Sequence, residues 1–327
     1  MSRTVFLTGG AGRIGKHVLQ MLLDRGYKVR VLVHKHEPEG ITSANMELVQ
    51  GDMLDRKSFA DAVAGCHCVC HLAAIFDLFD GPVYETDNDL MYEHIVTASY
   101  NVIESARAAG SVEQFVLGST DAVYAVIFKQ YDEPITEETE VFPRPGRFYA
   151  LAKATAENLC NYYEMSYGLP YTILRIGWCL NYDEILKAFS YDFWHPMMIA
   201  KDRDALRSRF ECGQGAICPV YPTGESVVVH LGDAKDVATG FFLAIDKPDQ
   251  ARNQIFNVAG PAPIRYGDVV ELVAGGLGVP WEKATVEGLR EYEISNEKAR
   301  RMLGYEPVNT VAKMIEMAVQ EGVRSLV

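Results

Sequence analysis

The run Thr8-Gly9-Gly10-Ala11-Gly12-Arg13-Ile14-Gly15 follows directly on the apolar stretch Thr4–Thr8 and leads into an amphipathic segment. A strand that turns through glycines into a helix lets a pyrophosphate come close to the N–H groups at the helix N-terminus. Gly9 serves the tight turn, Gly12 the close approach and Gly15 the packing of helix on strand. A glycine pattern alone is weak; placed between a strand and a helix it points to a dinucleotide site and commits the chain to a parallel α/β sheet.

The rest of the first half agrees. Apolar runs at 4–8, 28–33, 46–50, 68–72, 114–117 and 171–175 alternate with helical stretches near 14–25, 58–64, 88–109 and 149–167. This is the pattern of repeated βαβ units. Gly26, Gly110 and Gly168 each stand where a helix should stop. The expected fold is a doubly wound Rossmann sheet with ligand at the carboxyl ends of its strands. Beyond 175 the alternation fails, and aromatic-rich 189–195, charged 201–209 and glycine-containing 213–224 are expected to build a smaller substrate lobe. Strand-like 227–231, helical 234–245 and strand-like 254–258 are expected to return to the sheet. The division is therefore residues 1–175 for the dinucleotide domain, with 227–258 returning to it, and 176–327 mainly for the interleaved lobe.

A formal charge of −13, from 31 Lys and Arg against 44 Asp and Glu, excludes a broad phosphate-neutralising surface. Nucleic acid is not an expected partner, and a small molecule is. No apolar run is long enough to span a bilayer, and the N-terminus enters the glycine turn without room for a signal peptide, so a cytoplasmic protein is expected. Cys66-His67-Cys68-Val69-Cys70-His71 looks like a metal site. Its period of two within an apolar segment instead places the thiols on one face of a buried strand, and no metal is expected.

The second strand ends Val31-Leu32-Val33-His34-Lys35. A carboxylate there would hold the adenosine ribose, whereas basic groups accommodate a 2′-phosphate. With no carboxylate, and with His34, Lys35 and Arg13 able to converge on a phosphate, NADP(H) is expected over NAD(H). The alternative is that His34 and Lys35 simply begin a solvated loop.

Together with the glycine loop, Gly51-Asp52-Met53, His71-Leu72-Ala73-Ala74, Tyr149-Ala150-Leu151-Ala152-Lys153, the segment 230–238 and the segment 299–307 resemble the extended branch of the short-chain dehydrogenase/reductase superfamily across essentially the whole chain. The resemblance implies that Asp52 and Met53 contact adenine and that Leu72, Ala73 and Ala74 line the cofactor beside Gly9, Gly12, Arg13, Ile14 and Gly15. It also implies that Tyr149 and Lys153 touch the cofactor, Lys153 through the nicotinamide ribose, and that the long helices form a homodimer contact. By register with Val123-Tyr124, Thr120 takes the position of the hydroxyl that holds the substrate oxygen. The four-residue spacing puts Tyr149 and Lys153 on one helical face. A nearby ammonium and a cationic nicotinamide should lower the phenol from its usual ~10, making Tyr149 a general base in oxidation and an acid in reduction.

Three departures bear on the reaction. Thr120-Asp121-Ala122 is similar to the Thr-Asp-Glu of sugar-nucleotide dehydratases but lacks the second acid. The asparagine of the family's proton relay falls on Ile95. Gly177-Trp178-Cys179-Leu180-Asn181 and 226–229 replace segments that hold a nucleoside diphosphate, although Arg203, Arg207 or Arg209 can supply a cation. The loop Ile75-Phe76-Asp77-Leu78-Phe79 with Trp178, Phe193, Trp194 and His195 can line a pocket for a compact ketone, lactone or free sugar. Phe76, Asp121, Trp178 and His195 are the candidate substrate residues, though the same aromatics would equally pack the lobes together and His195 suits a structural role. The leading expectation is an NAD(P)-dependent oxidoreductase acting on a secondary alcohol or ketone. The alternatives are an epimerase or dehydratase that recycles its dinucleotide and a non-catalytic dinucleotide sensor.

Overall fold

The computed structural model describes residues 3–75, 87–126, 128–145, 148–210, 213–323 and 326. The strands β1 (Thr4–Thr8), β2 (Lys28–Val33), β3 (Met46–Gln50), β4 (Cys68–His71), β5 (Gln114–Thr120) and β6 (Tyr171–Ile176) join the later strand Gln254–Val258 in a seven-stranded sheet. Its order is Gln254–Val258, β6, β5, β4, β1, β2, β3, and every pair is parallel. The order reverses between β1 and β4, which opens the crevice where doubly wound sheets bind ligands.

Sheets covered on both faces need strands that are apolar throughout. Val5, Phe6 and Leu7 are wholly buried. Helix α1 (Gly15–Asp24) presents Val18, Leu19, Leu22 and Leu23 to the same core as Val5 and Leu7. Each such side chain contributes about 1.5–3 kcal/mol through burial. Cys68 and Cys70 share this face of β4, as the period of two requires, while Cys66 packs on the other face with Phe6 and Phe115. Cys66 differs because β4 begins only at Cys68, so Cys66 lies outside the pleat.

Two helices expected to be continuous are broken. Residues 58–64 give only the short turns Arg56–Ser58 and Ala60–Val63, because the Ser58 hydroxyl turns back onto the Asp52 and Asp55 carbonyls. Residues 88–109 divide into Asn88–Met91, a wider π-helical stretch Tyr92–Thr97 and Ala98–Ala109. Ile95 and Val96 of the wide stretch pack against Ala152 and Tyr149 of the long helix Phe148–Tyr167.

The second core gathers Phe189, Trp194, Phe210 and Tyr266 around the parallel pair Ala216–Val220 and Trp281–Thr285. Of residues 227–258, only Gln254–Val258 hydrogen-bonds into the large sheet. Val228–Val229 pairs with Ile264–Arg265, and Leu231–Asp233 with Trp178–Leu180. The helix Ala234–Asp246 lies against α1. No helix among the described residues is long and apolar enough to cross a membrane.

Candidate active site

The carboxyl ends of β1, β4, β5 and β6 open on a cleft of about 810 Å³. At its base Gly9 has φ of +74°, and a Cβ there would lie 2.6 Å from the Ala73 amide nitrogen. A Cβ on Gly15 would collide with the Gly9 carbonyl oxygen. These positions therefore accept only glycine, for conformation at the first and for space at both. Gly12 meets only the Gly9 oxygen, at 3.2 Å from a notional Cβ, so its other side is open. A backbone cradle at the start of α1 with no side chain over it fits a dinucleotide pyrophosphate.

The loop is fixed from behind by side chains. Thr8 Oγ1 accepts from the Ala73 amide at 3.2 Å and contacts His71 Nδ1 at 2.7 Å, and His71 Nε2 meets Ser99 Oγ at 3.0 Å. Burial, reinforced by the charge of Lys153, pushes the imidazole down to about 3, so it stays neutral. His71 thus holds β1, β4 and the helix Ala98–Ala109 together as a hydrogen-bonding spacer.

Gly9, Gly12, Arg13, Ile14, Gly15, Leu72, Ala74, Thr120, Asp121, Tyr149, Lys153, Trp178 and His195 all line the cleft. His34, Lys35, Asp52 and Met53 lie off it, and Phe76 falls outside the described residues. Arg13 forms a two-pronged ion pair with Glu184, at 2.7 and 2.8 Å. Asp52 Oδ2 stands 3.9 Å from His34 Nε2, so β3 supplies a carboxylate at a place where β2 alone showed none. The Met53 carbonyl accepts from Asn101 Nδ2 at 2.8 Å, which anchors that turn.

At the reacting end, Thr120 Oγ1 accepts from the Ala122 amide at 3.2 Å and donates to Asp121 Oδ1 at 3.3 Å. The Tyr149 phenol is hydrogen-bonded to Thr120. Without a dinucleotide, burial raises it above the usual range, with Asp121 and Cys179 adding to the rise against the Thr120 hydrogen bond. Lys153 is engaged elsewhere. Its Nζ is buried and donates to the Gly118 carbonyl at 2.7 Å, while burial draws it down to about 8 against the pull of Glu157.

Beneath this group lies a network that the sequence reading missed. Glu157 accepts from Ser119 Oγ at 2.5 Å and from Arg175 Nε and Nη2 at 3.0 and 2.8 Å, all buried. Arg175 also donates to Tyr124 Oη at 2.6 Å, and Tyr124 donates to Asn257 at 2.9 Å. Two signals were present: an acid four residues after Lys153 on the same helical face, and an arginine inside a buried strand. On the far wall Trp178 stacks on Phe193, with ring centres 5.4 Å apart. His195 stacks on Tyr191 at 5.5 Å, and its Nδ1 contacts the Asp192 carbonyl at 2.9 Å. His195 therefore lines the cleft but is tied to its own turn.

A glycine cradle at the sheet's reversal point, with a tyrosine and lysine one helical turn apart beside it, defines an enzyme of the short-chain dehydrogenase/reductase type. The model of the NAD dependent epimerase/dehydratase family matches residues 5–259, and the chain belongs to that family. An L-arabinose 1-dehydrogenase (NAD(P)(+)) of Haloferax volcanii is 31% identical over 189 residues, covering 55% of this chain and 69% of that protein. A UDP-glucose 4-epimerase of Corynebacterium glutamicum is 25% identical, with 95% and 93% covered. A short-chain dehydrogenase/reductase superfamily protein of Agrobacterium tumefaciens, solved with bound NAD, superposes with a TM-score of 0.83 at 26% identity, with 97% and 96% covered.

Proposed function

We propose that the protein is an NAD(P)-dependent dehydrogenase that oxidises a secondary alcohol, or reduces the matching ketone, of a compact sugar-like substrate. The observation that carries this is the Tyr149–Thr120 hydroxyl pair, hydrogen-bonded at the cleft wall beyond the glycine cradle. Tyr149 exchanges a proton with the substrate oxygen, and Thr120, hydrogen-bonded to the phenol, positions it. Lys153 would hold the nicotinamide ribose of a bound dinucleotide, giving up its bond to the Gly118 carbonyl. The bound dinucleotide supplies the hydride acceptor or donor, and Trp178 and Phe193 exclude water from the opposite wall. Ala122 in place of a second acid weighs against water elimination. The aromatic wall of Trp178 and Phe193 supports a compact substrate. The L-arabinose relative is consistent with this.

For the cofactor, the exposed His34 and Lys35 support NADP(H), and Asp52 beside His34 opposes it. Assayed near ~340 nm with free pentoses, hexoses, small ketones and sugar nucleotides, the protein is expected to reduce NADP+ faster than NAD+, and Lys35→Asp to reverse the order. An unchanged order in the variant would remove Lys35 from cofactor selection. Substrate turnover with no net absorbance change would favour an epimerase. Exposed Tyr92, Tyr100, Tyr162, Met165 and Tyr167 on the segments 92–109 and Phe148–Tyr167 support a homodimer through these helices. Light scattering is then expected to give about twice the chain mass of 36.4 kDa.

A further inference from the structure

We propose that Asp121 ends a proton relay that runs from Tyr149 through the Thr120 hydroxyl, an inference that rests on the dehydrogenase reading. Ile95 on the neighbouring helix is buried in one cluster with Tyr149 and Ala152 and offers the phenol no hydrogen-bonding side chain. Lys153 is turned to the Gly118 carbonyl. The Tyr149 phenol is hydrogen-bonded to Thr120, whose hydroxyl continues to Asp121.

The donor directions fit. Thr120 Oγ1 lies between the Tyr149 phenol and Asp121 Oδ1, the latter at 3.3 Å, and accepts from the Ala122 amide; when its one proton is turned to Asp121, a lone pair is left for the Tyr149 proton. Asp121 is nine-tenths buried, lines the cleft, and its Oδ2 has no hydrogen-bond partner. One of its oxygens is thus held by Thr120 while the other is not paired off by a cation. The titratable groups around it are Tyr149 on the long helix, Cys179 on the strand Trp178–Leu180 and Tyr292, with the Trp178 amide donating to it. All of these are neutral at pH 7, and among the described residues burial outweighs every other influence on Asp121. Burial accordingly raises its carboxyl to about 7, where it can both take and release a proton.

In oxidation the carbinol C–H bond breaks and its electron pair leaves with the hydride to the dinucleotide. The substrate O–H proton passes to the Tyr149 oxygen, the Tyr149 proton to Thr120, and the Thr120 proton to Asp121, which becomes a neutral acid. The ketone leaves, and Asp121 returns its proton to water entering the cleft. Tyr149 never has to exist as a free tyrosinate, which suits a phenol that burial keeps protonated.

The test begins on the protein without dinucleotide. Infrared difference spectra between pH 5 and 9 are expected to show a carboxyl C=O band titrating near neutral pH that is missing in Asp121→Asn. In turnover, Asp121→Asn is expected to lower kcat for alcohol oxidation by at least about tenfold with little change in KM, and to lose the inflection near neutral pH. Added imidazole buffer is expected to restore part of the rate. Asp121→Ser serves as a second variant should the first not fold. The relay is overturned if no such band belongs to Asp121, or if the variant keeps wild-type kcat and the same inflection, or if its rate falls equally at every pH with no response to imidazole. Absence of net nicotinamide reduction by the wild type overturns the dehydrogenase reading instead, and the infrared result separates the two failures.

Discussion

Tyr149→Phe is expected to lower kcat by about 10³-fold while leaving dinucleotide affinity and folding stability nearly unchanged. The phenyl ring keeps the contacts with Ile95 and Ala152, and only the hydroxyl that meets Thr120 is lost. The glycine cradle lies on β1 and α1 and is untouched by the exchange. Steady-state rates set beside dinucleotide titration by fluorescence quenching check both halves. A variant retaining more than about a tenth of the rate would show that Tyr149 is not the proton donor and acceptor.

The largest effect on stability is expected at the buried pair of Glu157 and Arg175. Both side chains are almost completely enclosed, and their two-pronged contact joins the long helix to β6 while Ser119 ties it to β5. Removing one partner leaves a buried charge without its counter-charge, which costs about 3–5 kcal/mol. Glu157→Leu and Arg175→Met are each expected to lose this much in urea unfolding. The double variant is expected to lose less than the sum, because an apolar pair of similar volume replaces the ion pair. Full additivity of the two losses would mean that the two groups do not depend on each other.

Elements whose signal is local were legible in the sequence. The glycine loop, the apolar strands and the Tyr149-to-Lys153 spacing depend on residues within a few positions of one another, and the sheet and cleft form where these place them. β5 runs three residues past the expected Leu117 because Gly118 and Ser119, poor strand formers alone, are paired with Leu174 and Arg175 of β6, and Thr120 with Ile176. That extension carries Thr120 to the cleft wall. The Arg13–Glu184 pair joins residues 171 positions apart, and nothing in either neighbourhood announces it. The surroundings of Tyr149 are hidden for a related reason: spacing shows which face Lys153 shares, but not that its ammonium turns to Gly118 or that burial raises the phenol when no dinucleotide is bound.

Hydride transfer between substrate and dinucleotide is tested most directly with a sugar deuterated at the reacting carbinol carbon. After one turnover with NADP+, mass spectrometry of the reduced dinucleotide is expected to show one deuterium, accompanied by a stoichiometric amount of oxidised product. Deuterium retained in a sugar product, with the dinucleotide recovered oxidised, would contradict the dehydrogenase assignment and identify internal recycling as in an epimerase.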